Sequence, residues 1–446
     1  LALGLVSSPD ALRSWWAELR GQVEKAFIAA SQEPKITTRE MVMDRTQAPL
    51  APLPLPAEFA QQAERMPVPA NDRERARMGR KAQPLRVHMN QVFKELMSRD
   101  KSVVYVGEDV RHGGYYRVSD DLADMFPARV QDVPPDETSV IGLAMGYSQS
   151  GLTPIAEIPY SKYLDCGADM FFEAVITHWC TAGGQKDGLV IRLQGFDKGV
   201  FGGNFHTHNM LYLPPGLDVV CYSNGRDYVR GMRHAVHQAK TAGRVVMSVD
   251  STDLLYRRSL FPDGPDGGDS HWLHTYPFDE DGEDAMLDFE TVIAYRNPTS
   301  PDEFEYVRTA DASVTAPAEN PDTIILSYGN GLPTSLQAAA QLRDDGRSNA
   351  LVVDCPALGH VSGGLRAVLA RFPNAAVVMA DVCKAGQHPF GAVLHTMQEE
   401  GLLEGRRWRV VAAPPTYNPL GCTVTFLNKE DIMGAVAKVS GKAGSP

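Results

Sequence analysis

Cysteine is scarce in this chain, with six in 446 residues. Cys166, Cys180, Cys221, Cys355, Cys383 and Cys422 lie far apart, and no C-x-x-C pair occurs. That excludes a disulfide framework or a thiolate zinc site, and the six are expected to be reduced and buried. Long apolar runs are missing too. None approaches the roughly 18 residues of a membrane span, and the opening "LALGLVSS" has neither the basic flank nor the length of a secretory signal. The expectation is a cytoplasmic protein without a membrane partner. Basic charge is in deficit, with 43 Lys and Arg against 55 Asp and Glu and a net charge of −12. The imbalance is local, since residues 261–320 hold 15 Asp and Glu but two Arg and the rest of the chain is close to neutral. A nucleic-acid surface needs clustered Lys and Arg, so nucleic acid is excluded as a partner. No G-x-G-x-x-G leads a strand into a helix and no P-loop occurs, which removes a self-contained nucleotide fold.

What is present reads as several segments. The length exceeds that of a usual single domain, so two compact domains plus linker are expected. Residues 9–31 have the spacing of one amphipathic helix, with Ser8 as N-cap, Pro9 at the first helical position, and Leu12, Trp15, Leu19, Val23 and Phe27 on one face. The stretch "TQAPLAPLPLPAEFAQQAERMPVPA" follows, and its six prolines predict an extended linker. From "VHMNQVFKELMSRD" onward, short Val- and Ile-rich runs alternate with helix-length segments: "VVYVGED", "LVIRL", "VVMSV", "TIILSYG", "ALVVDC" and "AAVVMAD". That alternation predicts α/β architecture, two three-layer α/β/α domains with mostly parallel sheets, preceded by the helix and the Pro-rich linker. The boundaries expected are 1–35 for the helix, 36–83 for linker and basic stretch, 84–260 for the first domain, 261–320 for a solvated acidic insert and 321–446 for the second domain.

In open parallel sheets, ligands sit beyond the carboxyl ends of the strands. Glu137 stands at such a place in "VQDVPPDETSVIGLAMGYSQSG", after a strand and a proline turn and before an apolar helix. A lone Glu there is ordinarily a first-turn carboxylate favoured by the helix dipole. Here Gly142, Ala144 and Gly146 leave room for a backbone or flat ring beside the helix, and "PIAEIPYSKYLDCGADM" repeats the layout with Tyr160 and Tyr163. A glycine-rich loop, "GFDKGVFGGNFHTHN", delivers His206 and His208. Without a third ligand nearby, a catalytic or hydrogen-bonding role for one of them is the better reading than a metal site. His234 and His237 are expected at a surface or interface.

Six blocks occur in order: "VVYVGEDV", "GGYYRVSDDL", "FPARVQDVPPDETSVIGLAMG", "GLTPIAEIPY", "GGNFHTHN" and "PPGLDVV". Together they resemble the β-type subunit of thiamine-diphosphate-dependent 2-oxo acid dehydrogenases, of the transketolase superfamily. The likeness continues with "TIILSYGNG", "ALVVDCPAL" and "GQHPFGAVL", similar to that subunit's C-terminal domain, while residues 1–35 resemble the C-terminal tail of the α-type subunit. The resemblance implies a transketolase-like pyrimidine-binding domain over 84–260 and oxidative decarboxylation of a 2-oxo acid with acyl transfer to lipoamide. It implies that Glu137 hydrogen-bonds N1′ of the cofactor's aminopyrimidine, that Tyr163, with Tyr160 beside it, lies against that ring, and that His206 handles protons during acyl transfer. The family's Gly-Asp-Gly…Asn-Asn motif for diphosphate and Mg²⁺ has no copy here, so the metal is expected on an α-type half. A start at Leu is expected to mean a fragment or processed piece of a fused α–β polypeptide. The implied partners are that α-type half, in an α2β2-type assembly, and a lipoyl acyltransferase core. Asp136, Met170 and "SVDSTDLLYRR" depart from the family pattern and leave pyruvate and branched-chain substrates both open. The alternatives are another ketol- or acyl-transferring enzyme of the superfamily and a non-catalytic assembly subunit.

Overall fold

The computed structural model describes residues 7–35, 37–41, 81–181, 185, 187–196, 214–262, 272–278, 285–308, 320–386, 390–416 and 425–440. The chain divides into two compact units, Leu1–Gln47 and Ala48–Pro446.

The first unit is built on helix α1, Pro9–Gln32. Its start follows the sequence closely: Pro9 opens the helix, and the Ser8 hydroxyl accepts a hydrogen bond from the Ala11 amide at 3.1 Å. None of its residues is buried, and Trp15, Trp16, Val23 and Phe27 are all exposed.

The second unit holds two six-stranded sheets. Helix α2 (Leu85–Arg99) leads into the first, made of β1 (Val103–Gly107), β2 (Val130–Asp132), β3 (Thr153–Ile158), β4 (Leu189–Gly195), β5 (Leu217–Val220) and β6 (Val245–Ser251). Its order is β2-β1-β3-β4-β6-β5 and every pairing is parallel. The crossovers carry α3 (Glu137–Gln149), α4 (Ala168–Cys180) and α5 (Gly225–Ala242). β1, β3, β4 and β6 are buried along their whole length, which is why they read as unbroken apolar runs rather than as an alternation.

The second sheet runs β12-β11-β9-β10-β7-β8. Its strands are β7 (Val292–Tyr295), β8 (Phe304–Val307), β9 (Thr323–Ser327), β10 (Ala350–Asp354), β11 (Ala376–Lys384) and β12 (Trp408–Ala413). The first two are antiparallel at one edge, and β9 to β12 are parallel. The two sheets are joined by polar contacts, among them Ser223 Oγ donating to Asp354 Oδ1 at 2.9 Å and the Cys221 amide donating to the Pro356 carbonyl at 2.8 Å.

Three expectations need correction. The segment 261–320 is not a solvated insert in its described parts. β7 and β8 extend the second sheet, and Trp272, His274 and Tyr276 are buried, with His274 bridged to Gln83. Its acidic composition hides an apolar set in which Tyr276 meets His88 of α2, Phe289 meets His234 of α5, and the Leu287 amide donates to the Arg230 carbonyl of α5. His234 and His237 are likewise buried rather than superficial, His234 packing edge-on against Phe289 with ring centres 4.6 Å apart. Their helix is enclosed on nearly all sides, so its polar residues are no guide to a solvent face. Of the cysteines, Cys221, Cys355 and Cys383 are buried but Cys166 and Cys180 are exposed, because they lie around α4 rather than in a strand; Cys422 lies outside the described residues.

Candidate active site

The carboxyl ends of three adjacent strands, β2, β1 and β3, gather the site. The chain leaves β1 for one neighbour, β2, and then returns past it to β3, so the strand order reverses at β1. Such a reversal opens a crevice between loops that diverge to opposite sides.

The loop after β2 delivers Glu137. Asp136, extended at φ −153°, takes the N-cap position, and Glu137 begins α3. The Ser139 hydroxyl donates to the Asp136 carboxylate, and Thr138 Oγ1 donates to the Cys166 carbonyl at 3.1 Å. Gly167 abuts the Glu137 main chain so closely that a Cβ there would lie 2.9 Å from the Glu137 carbonyl carbon. Below it, Val140, Ile141, Ala144 and Met145 are buried and fasten the helix against β3. Glu137 itself is half-exposed.

The loop after β3 delivers Tyr160 and Tyr163. Tyr160 is buried, Tyr163 half-buried, and their rings meet edge to face with centres 5.9 Å apart. Tyr115, from the loop after β1, packs on Tyr160 at 5.7 Å. That same loop begins with Glu108, whose carboxyl is pushed above its usual range by burial and then by the negative charges of Asp109 and Glu137. The Tyr115 hydroxyl is raised for similar reasons, burial first and then Glu108. The residues named from the sequence, Glu137, Tyr160 and Tyr163, thus converge with two that were not, Glu108 and Tyr115. The signal for Glu108 was available, since it also is a carboxylate directly after an apolar strand. Tyr115 was announced only by the Gly113-Gly114 pair before it, which turns the chain with φ of 102° and 60°.

The small residues of α3 do not face the site together. Gly142 is covered by Met170 of α4, Ala144 is buried and Gly146 is open to solvent. His206, His208 and Gly199, Gly202 and Gly203 fall in 197–213, outside the described residues. Among the described residues, no group of three or more His, Cys, Asp or Glu could hold a metal ion, and no helix is long and apolar enough to cross a membrane.

Comparison with known proteins bears on this geometry. Residues 81–253 match the transketolase pyrimidine-binding domain. These residues form a transketolase-like domain, and the relatives that the chain resembles are named as beta subunits. It is 35% identical over 130 residues to the mitochondrial 2-oxoisovalerate dehydrogenase subunit beta of Dictyostelium discoideum, covering 28% of this chain and 35% of that one. To the 2-oxoisovalerate dehydrogenase subunit beta of Bacillus subtilis it is 26% identical over 274 residues, 60% of this chain and 69% of the relative. To the pyruvate dehydrogenase E1 component subunit beta of Staphylococcus aureus it is 26% identical over 356 residues, 77% and 94% of the two chains. The first of these matches spans only about a third of its relative's length. A solved structure described as a split-gene transketolase, an inactive beta4 tetramer, has the same fold, with a TM-score of 0.53 at 17% identity over 81% of this chain and 99% of the other.

Proposed function

We propose that this transketolase-like chain is the β-type half of the decarboxylating component of a 2-oxo acid dehydrogenase, using thiamine diphosphate and passing the acyl group to lipoamide. The observation that carries the reading is the convergence of Glu137, Glu108 and the Tyr160–Tyr163 pair at the exits of three adjacent parallel strands. The donor set suits the pyrimidine half of that cofactor. A half-exposed carboxylate can meet a basic ring nitrogen, and the half-buried ring of Tyr163 can lie against a flat heterocycle. When bound, thiamine diphosphate supplies the electron sink that allows a 2-oxo acid to lose CO₂.

The chain's own residues then have distinct tasks. Glu137 exchanges a proton with N1′ of the pyrimidine. Glu108 stands beside Glu137 with its carboxyl raised by burial and by the charges of Asp109 and Glu137, which makes it the more readily protonated neighbour of that carboxylate. Tyr163, braced by Tyr160, orients the ring, and His206 serves acyl transfer. An α-type half holds the diphosphate and Mg²⁺, completes an α2β2-type assembly and covers the exposed apolar face of α1. A lipoyl acyltransferase core receives the product. Relatives named for pyruvate and for 2-oxoisovalerate both match, so the substrate is assigned as a 2-oxo acid and no further.

The test is Glu137→Gln in the complete assembly, assayed with an artificial electron acceptor and a panel of 2-oxo acids. The substitution keeps size but ends proton exchange, so kcat should fall by about 10²-fold or more while cofactor affinity changes little. Near-normal turnover in the variant would overturn the reading, as would an unmodified assembly that turns over none of the 2-oxo acids.

A further inference from the structure

Beneath the site, four strands of the first sheet are stitched together by charge. Arg192 of β4 is wholly buried and donates through Nε to Asp250 of β6 at 2.5 Å and through Nη1 to Glu157 of β3, also at 2.5 Å. The Tyr105 hydroxyl of β1 donates to Glu157, and Gln194 Nε2 donates to the other Glu157 oxygen at 3.1 Å. Both oxygens of Glu157 are therefore fixed. Glu157 lies beside Gly107, the last residue of β1, and a Cβ on Gly107 would come within 2.7 Å of the Glu157 carbonyl oxygen.

Above this carboxylate runs the loop that carries Glu108 and Tyr115. It is the most strained segment among the described residues, with Asp109, Tyr116, Arg117 and Asp121 at φ of 54°, 61°, 58° and 63°. Its far side is anchored by Asn90, whose Nδ2 donates to the carbonyls of Val118 and Asp120. Its crest has Gly114 at φ 60°, ψ −167°, a conformation nearly reserved for glycine, and a Cβ there would lie 3.1 Å from Glu157 Oε1.

We infer that the Arg192–Glu157 pair is a positioning device: the clamped carboxylate is the floor on which Gly114 rests, and it sets where Glu108 and Tyr115 stand opposite Glu137. The geometric part stands on these contacts alone, and its consequence for turnover rests on the function proposed above. A carboxylate held by three side chains from two other strands has one position, so a strained loop seated on it has one position too. Without the clamp, the loop would relax toward ordinary backbone conformations and carry the two side chains with it.

Amide hydrogen exchange on the full chain tests this directly. Gly114 and Ser119 donate their amides to the carbonyls of Asp109 and Gly113, and the Arg111 amide donates to Asp132 Oδ1, so the loop holds protected amides that report its seating. Glu157→Gln should speed exchange across 107–119 by about tenfold or more and leave α5 and β6 unchanged. Gly114→Ala, which disturbs the same contact from the loop side without altering any charge, should do likewise. Should Glu157→Gln fail to fold, Tyr105→Phe removes one donor and no charge and carries the same test. In the assembled enzyme these variants should lose about tenfold in kcat with KM nearly unchanged. Unchanged exchange at 107–119, or an increase spread evenly over the first domain, would overturn the inference. Local loosening alongside an unmodified assembly that does not decarboxylate would support the positioning role and overturn the proposed function instead.

Discussion

What fixes Glu137 is its main chain, held between the start of α3 and Gly167. That contact makes a sharp prediction. In Gly167→Ala the new methyl would lie 2.9 to 3.1 Å from the carbonyl carbon, carbonyl oxygen and Cβ of Glu137, and a backbone cannot swing aside as a side-chain tip can. Overpacking of this kind costs about 1–3 kcal/mol. On the proposed function the larger effect should be on turnover, because displacing a reacting group by an ångström is worth on the order of 10²-fold. Steady-state kinetics and a melting curve of the assembled variant check both, and an unaltered kcat would show that Glu137 tolerates the shift. Legibility differs sharply among these residues. The place of Glu137 at a strand exit was readable because a short strand and a proline turn precede it and an apolar helix follows. Glu108 obeys the same rule, but "GEDV" has no proline turn to mark it. Gly167 was not readable at all, since its role is a contact between separate elements and leaves no periodic trace.

At the scale of elements, the parallel strands were the most legible feature, because burial on both faces writes itself as a run of Val and Ile. The segment 272–278 was the least legible, since its acidic neighbours dominate the composition. Tyr276 nevertheless donates its hydroxyl to the buried carboxylate of Glu95, which Arg233 grips with two hydrogen bonds of 2.9 and 2.8 Å. Arg233 also donates to the carbonyls of Pro277 and Ala285, at 3.0 and 3.1 Å, so one guanidinium ties α2, α5 and this segment together. Deleting 263–284 would strip Trp272 and Tyr276 from the core and leave a buried charge pair short of partners. The expected outcome is loss of the folded chain rather than a trimmed surface. A milder probe is Tyr276→Phe, which should cost about 1–3 kcal/mol by leaving Glu95 one donor short, visible as a lower melting temperature. A soluble, fully structured deletion variant would contradict this account.

The whole molecule carries several buried titratable groups whose effects sum. His88 is held down to about 4, and His234 and His274 to about 3, in each case chiefly because burial penalises the cation. Unfolded, each would take a proton near its ordinary 6.5, so below that pH the unfolded chain binds more protons. The contribution of these histidines is therefore complete above about pH 6.5 and is lost as pH falls, to about 4 for His88 and about 3 for His234 and His274, by about 1.4 kcal/mol per pH unit for each. Asp250, raised to about 6 by burial, works in the opposite direction over part of that range. The clean measurement is thus a difference: His234→Gln should give a flatter loss of stability between pH 6 and 4 than the unmodified chain, and identical slopes would show that His234 is not neutral in the fold.

The same scale decides what the chain can do alone. On the proposed function, Glu137 and Tyr163 would offer one hydrogen bond and one ring face to a ligand whose charged half is its diphosphate, and the Gly-Asp-Gly…Asn-Asn motif expected to meet that half is not in the sequence. An ordered diphosphate with Mg²⁺ needs oxygen ligands and amide donors around it, and stacking with one hydrogen bond barely offsets the cost of immobilising the ligand. Calorimetric titration of the isolated chain with thiamine diphosphate and Mg²⁺ should therefore give weak or undetectable binding. Adding an α-type half, in cis or in trans, should restore tight binding and decarboxylation together. Tight, magnesium-dependent binding by these 446 residues alone would mean that the chain contains its own diphosphate site and that the proposed division of the cofactor between two halves is wrong.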